Sequence, residues 1–478
     1  MNIIKNYIYN RSYQILNIIL PLITVPYVSN ILGAEGVGDY SFTNANMQYF
    51  IIFGMIGITL YGNRQIAYVR DNKEKLSNTF YSIYSLQLIT ITIAIILYVI
   101  FINTFASDAY KYLYLSQGIN IIAALFDISW LFMGLEEFRK IVIRNTMVKL
   151  ASLASVFIFV RSSDDVVIYS MILGLSTLIG NLTFWMYIPR SVGLKNIKVS
   201  NVKLHFKSSI ALFIPQIAIQ IYLLLDRTLL GILSDSIQVG YYENSQKVVK
   251  MVLTIATTIG TVMMPKIANT VSSGNMDKVK YYIKNSFYFV SALSIPLMFG
   301  LMGVSKELSP WFFTDKFEGI NNLIVISSII IISISWSNVF GMQLLVPLNK
   351  TKEFTISVTS GAIVNLILNL IMLKRFGALG ACISTVIAES IVTLVQFYFI
   401  KEFIDIKELF QSIKYFIPSS VIMFVVIRII GEIMGAGIIT NIIQFILGVI
   451  VYFLAVEIIH KTLNKVSIVT NLKLMLKS

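Results

Sequence analysis

The densest group of ionisable residues that could bind a ligand lies in two neighbouring apolar stretches of this 478-residue sequence. Asp226 and Arg227 come near the end of one stretch, and Glu243, Lys247 and Lys250 follow in the next. Because residues three and four apart are neighbours on a helix surface, a helix would place the last three on one face. Such partly paired cations would suit a doubly charged anion such as a pyrophosphate, or they would form a structural ion-pair network.

Other ionisable residues within apolar stretches stand singly or in a pair. An ionisable group in hydrocarbon is costly and usually faces a cavity. We expect Lys149 either to line a cavity or to extend its ammonium to the nearby membrane edge. Glu389 and Asp127 are candidates for carrying a coupling proton or cation, although a packed, hydrogen-bonded glutamate is an equal interpretation of Glu389. Arg428 and Glu432, four residues apart, are expected to form a pair at the membrane edge.

Fourteen apolar runs position these residues, and each is long enough to cross a bilayer as a helix. Their approximate limits are 9–31, 39–61, 79–103, 110–133, 141–160, 166–188, 208–232, 239–262, 284–304, 320–346, 355–373, 378–400, 411–433 and 436–459. The chain is 56% hydrophobic and only 13% charged, with a mean hydropathy of +0.77, which excludes an ordinary soluble enzyme. Residues 89–102 do not show the alternation of apolar and polar side chains that a barrel strand would have. The sequence therefore predicts an all-α, polytopic membrane protein.

Several kinds of chemistry are excluded by what the sequence lacks. Cys382 is the only cysteine, so no thiolate cluster can form, and His205 and His460 are far apart. No predicted loop exceeds about 22 residues, which leaves no room for a soluble catalytic domain. We therefore predict no enzyme activity, no catalytic residues, no metal and no cofactor. The net charge of +14 is scattered through short loops, so no nucleic-acid partner is expected.

The distribution of lysine and arginine predicts the orientation of the chain. With the N-terminus in the cytoplasm, the cytoplasmic segments hold 27 of the 38 basic residues and the outer loops hold 6. Both termini should therefore be cytoplasmic.

An internal repeat divides the fourteen runs. The first half contains Leu32-Gly33, Gly38 and Arg64, and the second half contains Leu230-Gly231, Gly240 and Lys266 in the same order. The interval from Gly38 to Arg64 equals the interval from Gly240 to Lys266. We predict two pseudo-symmetric six-helix lobes at 1–195 and 196–403, and two further helices with a cytoplasmic tail at 404–478. Parallel repeats of this kind recur in transporters, with the substrate site between the halves.

Prolines inside the runs are candidate functional bends, because each removes a backbone hydrogen bond. Pro21 and Pro26 lie in the first run and Pro215 in the seventh. Proline is also common in membrane helices without any moving role.

Motifs spread from about residue 10 to 400 resemble the signatures of bacterial oligosaccharide flippases. They read ILGAEGVG at 31–38, YGNRQIA at 61–67, WLFMGLE at 130–136, GYYENSQK at 240–247, PKIA at 265–268, LNKTKE at 348–353 and FGALGA at 376–381. Met133 stands where these proteins usually have glutamine. The resemblance implies the polysaccharide-transporter branch of the superfamily that also contains multidrug exporters and lipid II flippases.

Such proteins move undecaprenyl-pyrophosphate-linked oligosaccharide repeat units from the inner to the outer leaflet of the bacterial cell membrane, for capsular or other exported polysaccharides. The resemblance thus implies a lipid-linked substrate, the bilayer and a polymerase of the same pathway as partners, and alternating access around a cationic cavity. Lys247 matches the motif and lies on the charged face, so it is the first candidate to contact the pyrophosphate, followed by Arg227 and Lys250. Asp226, Glu243 and Lys149 would form ion pairs or line the cavity.

Two other functions remain as alternatives. A multidrug or cation exporter of the same superfamily would have mainly acidic cavity residues, whereas the seventh and eighth runs contain three cations and two carboxylates. A membrane polymerase or ligase would need a sizeable outer loop, and the longest one expected, about Ser305 to Gly319, is too short.

Overall fold

Helices account for almost the whole of the computed structural model, which describes residues 2–188, 192–193, 202–411 and 413–464. The α-helices among these residues are α1 (Asn2–Met55), α2 (Ile58–Val69), α3 (Lys73–Phe105), α4 (Asp108–Leu125), α5 (Ser129–Gly134), α6 (Phe138–Phe159), α7 (Val166–Met186), α8 (Val202–Leu233), α9 (Ser236–Ser272), α10 (Met276–Phe313), α11 (Ile320–Ser327), α12 (Ile330–Ser337), α13 (Thr351–Ile400), α14 (Ile406–Phe410), α15 (Ile413–Met434) and α16 (Ile438–Asn464). A π-helical segment, Asn338–Leu345, follows α12.

The prediction of an all-α membrane protein is confirmed. Every one of the fourteen apolar runs falls on helix, and the described residues contain nine helices long and apolar enough to cross a membrane, or ten if a bent pair in α9 is one span. Two helices each contain two predicted runs, because glycines in the left-handed region turn the chain within them. These glycines are Gly33 in α1, with φ of 70°, and Gly377 in α13, with φ of 51°.

Three runs expected to be single helices are broken. The second run breaks at Ile56 and Gly57, where both residues have positive φ, and the hydroxyl of Ser209 donates to the buried carbonyl of Ile56 at 2.6 Å. The fourth run breaks between α4 and α5, and the tenth is divided into α11, α12 and the π-helical segment. Backbone groups freed within a membrane need partners from neighbouring helices, and polar side chains of other helices supply them here, as Ser209 of α8 does at Ile56.

The prediction of an outer loop from Ser305 to Gly319 is wrong. α10 continues to Phe313, and a short 3₁₀ turn at Asp315–Phe317 precedes α11. Glu307 is consequently buried within a helix, 3% exposed, rather than lying in a loop.

The apolar exterior of the helices fits a lipid environment. α3 exposes Ile89, Ile93, Ile96 and Ile100 on one face, whereas soluble proteins rarely expose such stripes. Large aromatic side chains such as that of Trp130 are fully buried instead. The chain is a multi-pass membrane protein.

The chain divides into two compact units, Met1–Ile232 and Leu233–Ser478. In the first unit α8 packs against α1 and α2: the Tyr61 hydroxyl lies 2.7 Å from His205 Nδ1, and the Tyr49 hydroxyl lies 3.2 Å from that of Thr228. In the second unit α15 and α16 pack against α10 through a core that includes Phe287, Phe416 and Tyr452. The three-segment division at residues 195 and 403 stays a prediction.

Candidate functional site

The charged face of α9 is set by the way the helix begins. The side chain of Asp235 accepts a hydrogen bond from the Gln238 amide at 2.8 Å, which caps the first turn. Lys247 then lies about 16 Å along the helix from Ser236, at 1.5 Å per residue. Its Nζ is 3.6 Å from Glu243 Oε1, an ion pair rather than a hydrogen bond. The predicted proximity of these two residues on one face is confirmed.

The two partners of this ion pair differ in accessibility. Glu243 is buried, whereas 31% of the Lys247 side chain is exposed. Lys250, three residues further on, is exposed. The face therefore presents two accessible cations. The carboxylate of Glu243, which partly neutralises Lys247, is buried.

The neighbouring positions of α9 anchor the helix within the second unit. The Tyr242 hydroxyl lies 3.0 Å from that of Thr385, and Gln246 Nε2 donates to the Ser327 hydroxyl at 3.0 Å. These bonds tie α9 to α13 and α11 and fix its rotation, so that the charged face is held in one direction.

In the first unit, Asp226 and Arg227 lie in the last two turns of α8. Asp226 is buried and Arg227 is half-buried. The next residue, Thr228, contacts Tyr49 of α1, which orients this end of α8.

Lys149 lines a cavity in the first unit. The cavity has a volume of about 220 Å³ and is bounded by α1, α6 and α7. Pro21, Thr24 and Tyr169 line it beside the lysine. This position agrees with the expectation that Lys149 lines a cavity. Pro21, one of the prolines predicted to bend a helix, lines the same cavity. Pro26 also lies within α1, and position 215 falls within α8, where its side chain lies outside the described residues.

The two candidate coupling carboxylates lie in different environments. Asp127 is at the break between α4 and α5, where its Oδ1 accepts the Ser129 amide at 2.9 Å. Gln87 Nε2 donates to the Asp127 carbonyl at 2.9 Å and its Oε1 accepts from Trp130 Nε1 at 3.0 Å. Asp127 thus forms an Asx turn that satisfies the first amide of α5, one residue before the N-cap Ile128. Glu389 is half-buried in the part of α13 that follows the turn at Gly377.

A buried charge network in the second unit was missed by sequence reasoning. Arg428 Nη1 lies 3.2 Å from Glu307 Oε1, while its predicted partner Glu432 is 3.6 Å away and exposed. Gln444 Nε2 donates to Glu307 Oε2 at 3.2 Å. No pattern in the sequence indicates Glu307, because this residue follows the apolar run of α10 and looks like a loop residue. Among the described residues no three histidine, cysteine or carboxylate side chains cluster as metal ligands would.

Comparison with known proteins identifies the family. The family model described as "Polysaccharide biosynthesis protein" matches residues 3–271, more than half of the chain. The chain belongs to the polysaccharide biosynthesis protein family. The resemblance that its motifs carry is confirmed.

Individual relatives fit this assignment. The "Putative O-antigen transporter" of Escherichia coli (strain K12) is 26% identical over 413 residues, which cover 83% of this chain and 96% of the relative. The inward closed structure of the lipid II flippase MurJ matches 96% of this chain and 99% of its own with a TM-score of 0.77, at 17% identity. An inward-facing multidrug resistance MATE family transporter matches 80% of this chain and 94% of its own with a TM-score of 0.61, at 13% identity.

At such identities the two solved structures show a shared fold alone. The Escherichia coli relative is named as a transporter, and the matching family model covers more than half of the chain. The prediction of a transport protein rather than an enzyme is confirmed.

Proposed function

We propose that this chain is a flippase that moves undecaprenyl-pyrophosphate-linked oligosaccharide repeat units from the inner to the outer leaflet of the bacterial cell membrane by alternating access. The family assignment and the relative named as an O-antigen transporter support a glycan-linked cargo. The observation that carries the proposal is Lys247, a partly exposed cation about 16 Å into an apolar helix and within the family motif.

The chemistry of the cargo explains why cations stand within apolar helices. A pyrophosphate headgroup cannot enter hydrocarbon without losing its hydration, and an unpaired charge in such a medium is strongly disfavoured. Lys247 and Lys250 would contact the phosphate oxygens in place of water, and Glu243 would keep the attraction weak enough for release. Arg227, beside Asp226 in the first unit, is a separate candidate for a phosphate contact. Lys149, which lines its cavity beside Pro21, would supply a further cation in the first unit.

The orientation completes the proposal. The excess of lysine and arginine in alternate loops supports a cytoplasmic position for both termini. The substrate would enter from the inner leaflet and leave toward a polymerase that assembles a capsular or other exported polysaccharide. The lobes at 1–195 and 196–403 would provide the alternating access, with Glu389 as the candidate coupling carboxylate.

A multidrug exporter is the second candidate, because the MATE transporter shares this fold. Lipophilic cations would require a surplus of carboxylates at the site. The face formed by Glu243, Lys247 and Lys250 instead holds two cations and one carboxylate.

The test is to delete the gene and determine on which leaflet lipid-linked glycans accumulate. Complete repeat units held at the inner leaflet, with no surface polymer, are expected, and re-expression of the wild-type chain should reverse both effects. Repeat units that reach the outer leaflet without polymerising would contradict the proposal and indicate a polymerase or ligase. Unchanged glycans with altered sensitivity to toxic cations would indicate drug export.

A further inference from the structure

A second cavity of the first unit is lined by aromatic rings rather than charges. It has a volume of about 630 Å³, within the usual range for ligand pockets, and lies among α1, α3, α4 and α8. No charged side chain is present among the described residues that line it. We call it the outer aromatic pocket, defined by Phe42, Asn46, Phe101, Tyr110 and Tyr114, because loop charges place this end of the unit outside.

The rings of the outer aromatic pocket hold one another at fixed angles. Phe101 meets Tyr114 edge to face, with centroids 5.4 Å apart and planes at 88°. Tyr110 meets Tyr114 at 6.4 Å and 81°, and Phe42 lies 5.8 Å from Tyr110. Edge-to-face contacts are a favoured aromatic geometry. Tyr114 is buried among them, whereas Tyr110 is partly exposed and can offer a ring face to a ligand.

A polar pair stands beside these rings. Asn46 Nδ2 donates to the Tyr114 hydroxyl at 2.8 Å, and both side chains are buried. The side-chain carbonyl of Asn46 accepts no hydrogen bond from the described residues, and the Tyr114 hydroxyl keeps its hydrogen to donate. Buried polar groups normally find partners. One acceptor and one donor therefore remain for a ligand.

This combination selects a class of ligand. A pyranose ring presents C–H groups on its faces and hydroxyls, each both donor and acceptor, around its edge. The lack of charge in the pocket gives nothing to hold a phosphate. A hydrocarbon chain would cover the Asn46 amide and the Tyr114 hydroxyl without satisfying them, at a cost in free energy.

We propose that the outer aromatic pocket binds a neutral sugar ring of the transported headgroup, an inference that rests on the proposed function. The rings are distinct from an interfacial tyrosine belt. Tyr112, two residues beyond Tyr110, is 73% exposed and does not line the pocket. It behaves as a belt residue should, and it provides a matched control for Tyr110.

The experiment measures two probes on the purified full-length chain in lipid nanodiscs. The first probe is the water-soluble oligosaccharide released by mild acid from the repeat units that accumulate in the deletion strain. The second is undecaprenyl pyrophosphate without sugar. Saturation-transfer NMR, which detects sugar C–H groups near aromatic protons, gives the contacts and the affinity of the oligosaccharide.

Tyr110→Ala should weaken oligosaccharide binding about tenfold and abolish saturation of its ring protons, because a stacking face is lost. Tyr110→Phe, which keeps the ring, and Tyr112→Ala should both bind as the wild type does. Affinity for undecaprenyl pyrophosphate should be unchanged in all three variants.

Equal oligosaccharide binding by Tyr110→Ala and Tyr112→Ala would overturn the proposal, as would occupation of the pocket by an acyl chain. A parallel loss of both probes in a folded Tyr110→Ala variant would overturn it too, since Tyr110 would then act on the whole headgroup rather than on the sugar. If the wild type binds undecaprenyl pyrophosphate but not the oligosaccharide, the pocket assignment fails while the proposed flippase function stands. If it binds neither probe, both fail.

Discussion

The ammonium of Lys247 lies 3.6 Å from the carboxylate of Glu243, one helical turn earlier on α9. Two roles fit this contact. A structural ion pair would need both charges, since a buried carboxylate that loses its partner is destabilising. A substrate-binding cation would need Lys247 and would tolerate the loss of the carboxylate. Replacing each residue separately distinguishes the two roles.

We predict that Lys247→Ala lowers surface polymer at least about tenfold at an unchanged amount of protein in the membrane, because the pyrophosphate loses a charge-assisted contact. Glu243→Gln should keep export within about twofold, since the cation remains. Surface polymer and membrane-bound protein are measured together, with Lys306→Ala, an exposed lysine of α10, as the control. Normal export by Lys247→Ala would refute the binding role, and equal loss of protein in both variants would establish the structural one. Full rescue by Lys247→Arg would show that charge matters more than geometry.

The Asx turn formed by Asp127 leads to a second prediction. Asp127→Asn should support export at nearly the wild-type level, because an asparagine side chain forms the same turn. Asp127→Ala should reduce the amount of folded protein, since the Ser129 amide loses its acceptor. A carboxylate that carries a coupling proton would behave differently. Loss of export in Asp127→Asn, with normal protein levels, would restore the coupling hypothesis.

The helical character and the order of the apolar runs could be predicted from the sequence because lipid imposes a simple rule. Each crossing needs about 20 apolar residues, and all fourteen runs that meet this length fall on helix. The pairing of Glu243 with Lys247 could also be predicted, since it depends only on a spacing of four residues within one helix.

The breaks within helices could not be predicted, because they depend on partners from other parts of the chain. The gap between α4 and α5 is stabilised by Gln87, about forty residues earlier, and the carbonyl at Ile56 by Ser209 of α8. The contact between Glu307 and Arg428 likewise joins residues 121 positions apart. Hydropathy reports how apolar a segment is and contains no information on such contacts.

The turn within α13 leads to a third prediction. Gly377 has φ of 51°, and a Cβ built on it would lie 2.4 Å from Oε1 of Gln238, which accepts the Ala378 amide at 2.9 Å. Gly377→Ala should therefore destabilise the protein by about 2–4 kcal/mol, from backbone strain and the clash together.

Thermal unfolding in detergent measures this loss. Gly274→Ala is the matched control, because Gly274 also has positive φ but no neighbour within 4 Å of its added Cβ. It should lose only the strain, about 1–2 kcal/mol. Adding Gln238→Ala to Gly377→Ala should not restore the wild-type stability, since Ala378 then lacks its acceptor. Equal melting temperatures for the two glycine variants would contradict this explanation.

Arg428 offers the fourth prediction, because it contacts two carboxylates in different surroundings. Glu307 is 3% exposed and lies 3.2 Å away, whereas the side chain of Glu432 is 65% exposed and lies 3.6 Å away. The buried contact joins α10 to α15, and Gln444 connects it to α16 through a second hydrogen bond to Glu307. Exposed ion pairs contribute little, while a buried charge that loses its partner is strongly destabilising.

Arg428→Ala should therefore destabilise the protein by about 3–5 kcal/mol, since the Glu307 carboxylate is left buried without its cation. Glu432→Ala should change stability by less than about 1 kcal/mol. The double variant Arg428→Ala with Glu307→Gln should recover part of the loss, because a neutral amide can still accept from Gln444. Melting temperatures in detergent compare the three variants. A large loss of stability in Glu432→Ala would show that the exposed ion pair, rather than the buried charge, holds α15 and α16 against α10. No recovery of stability in the double variant would show that side-chain packing does so.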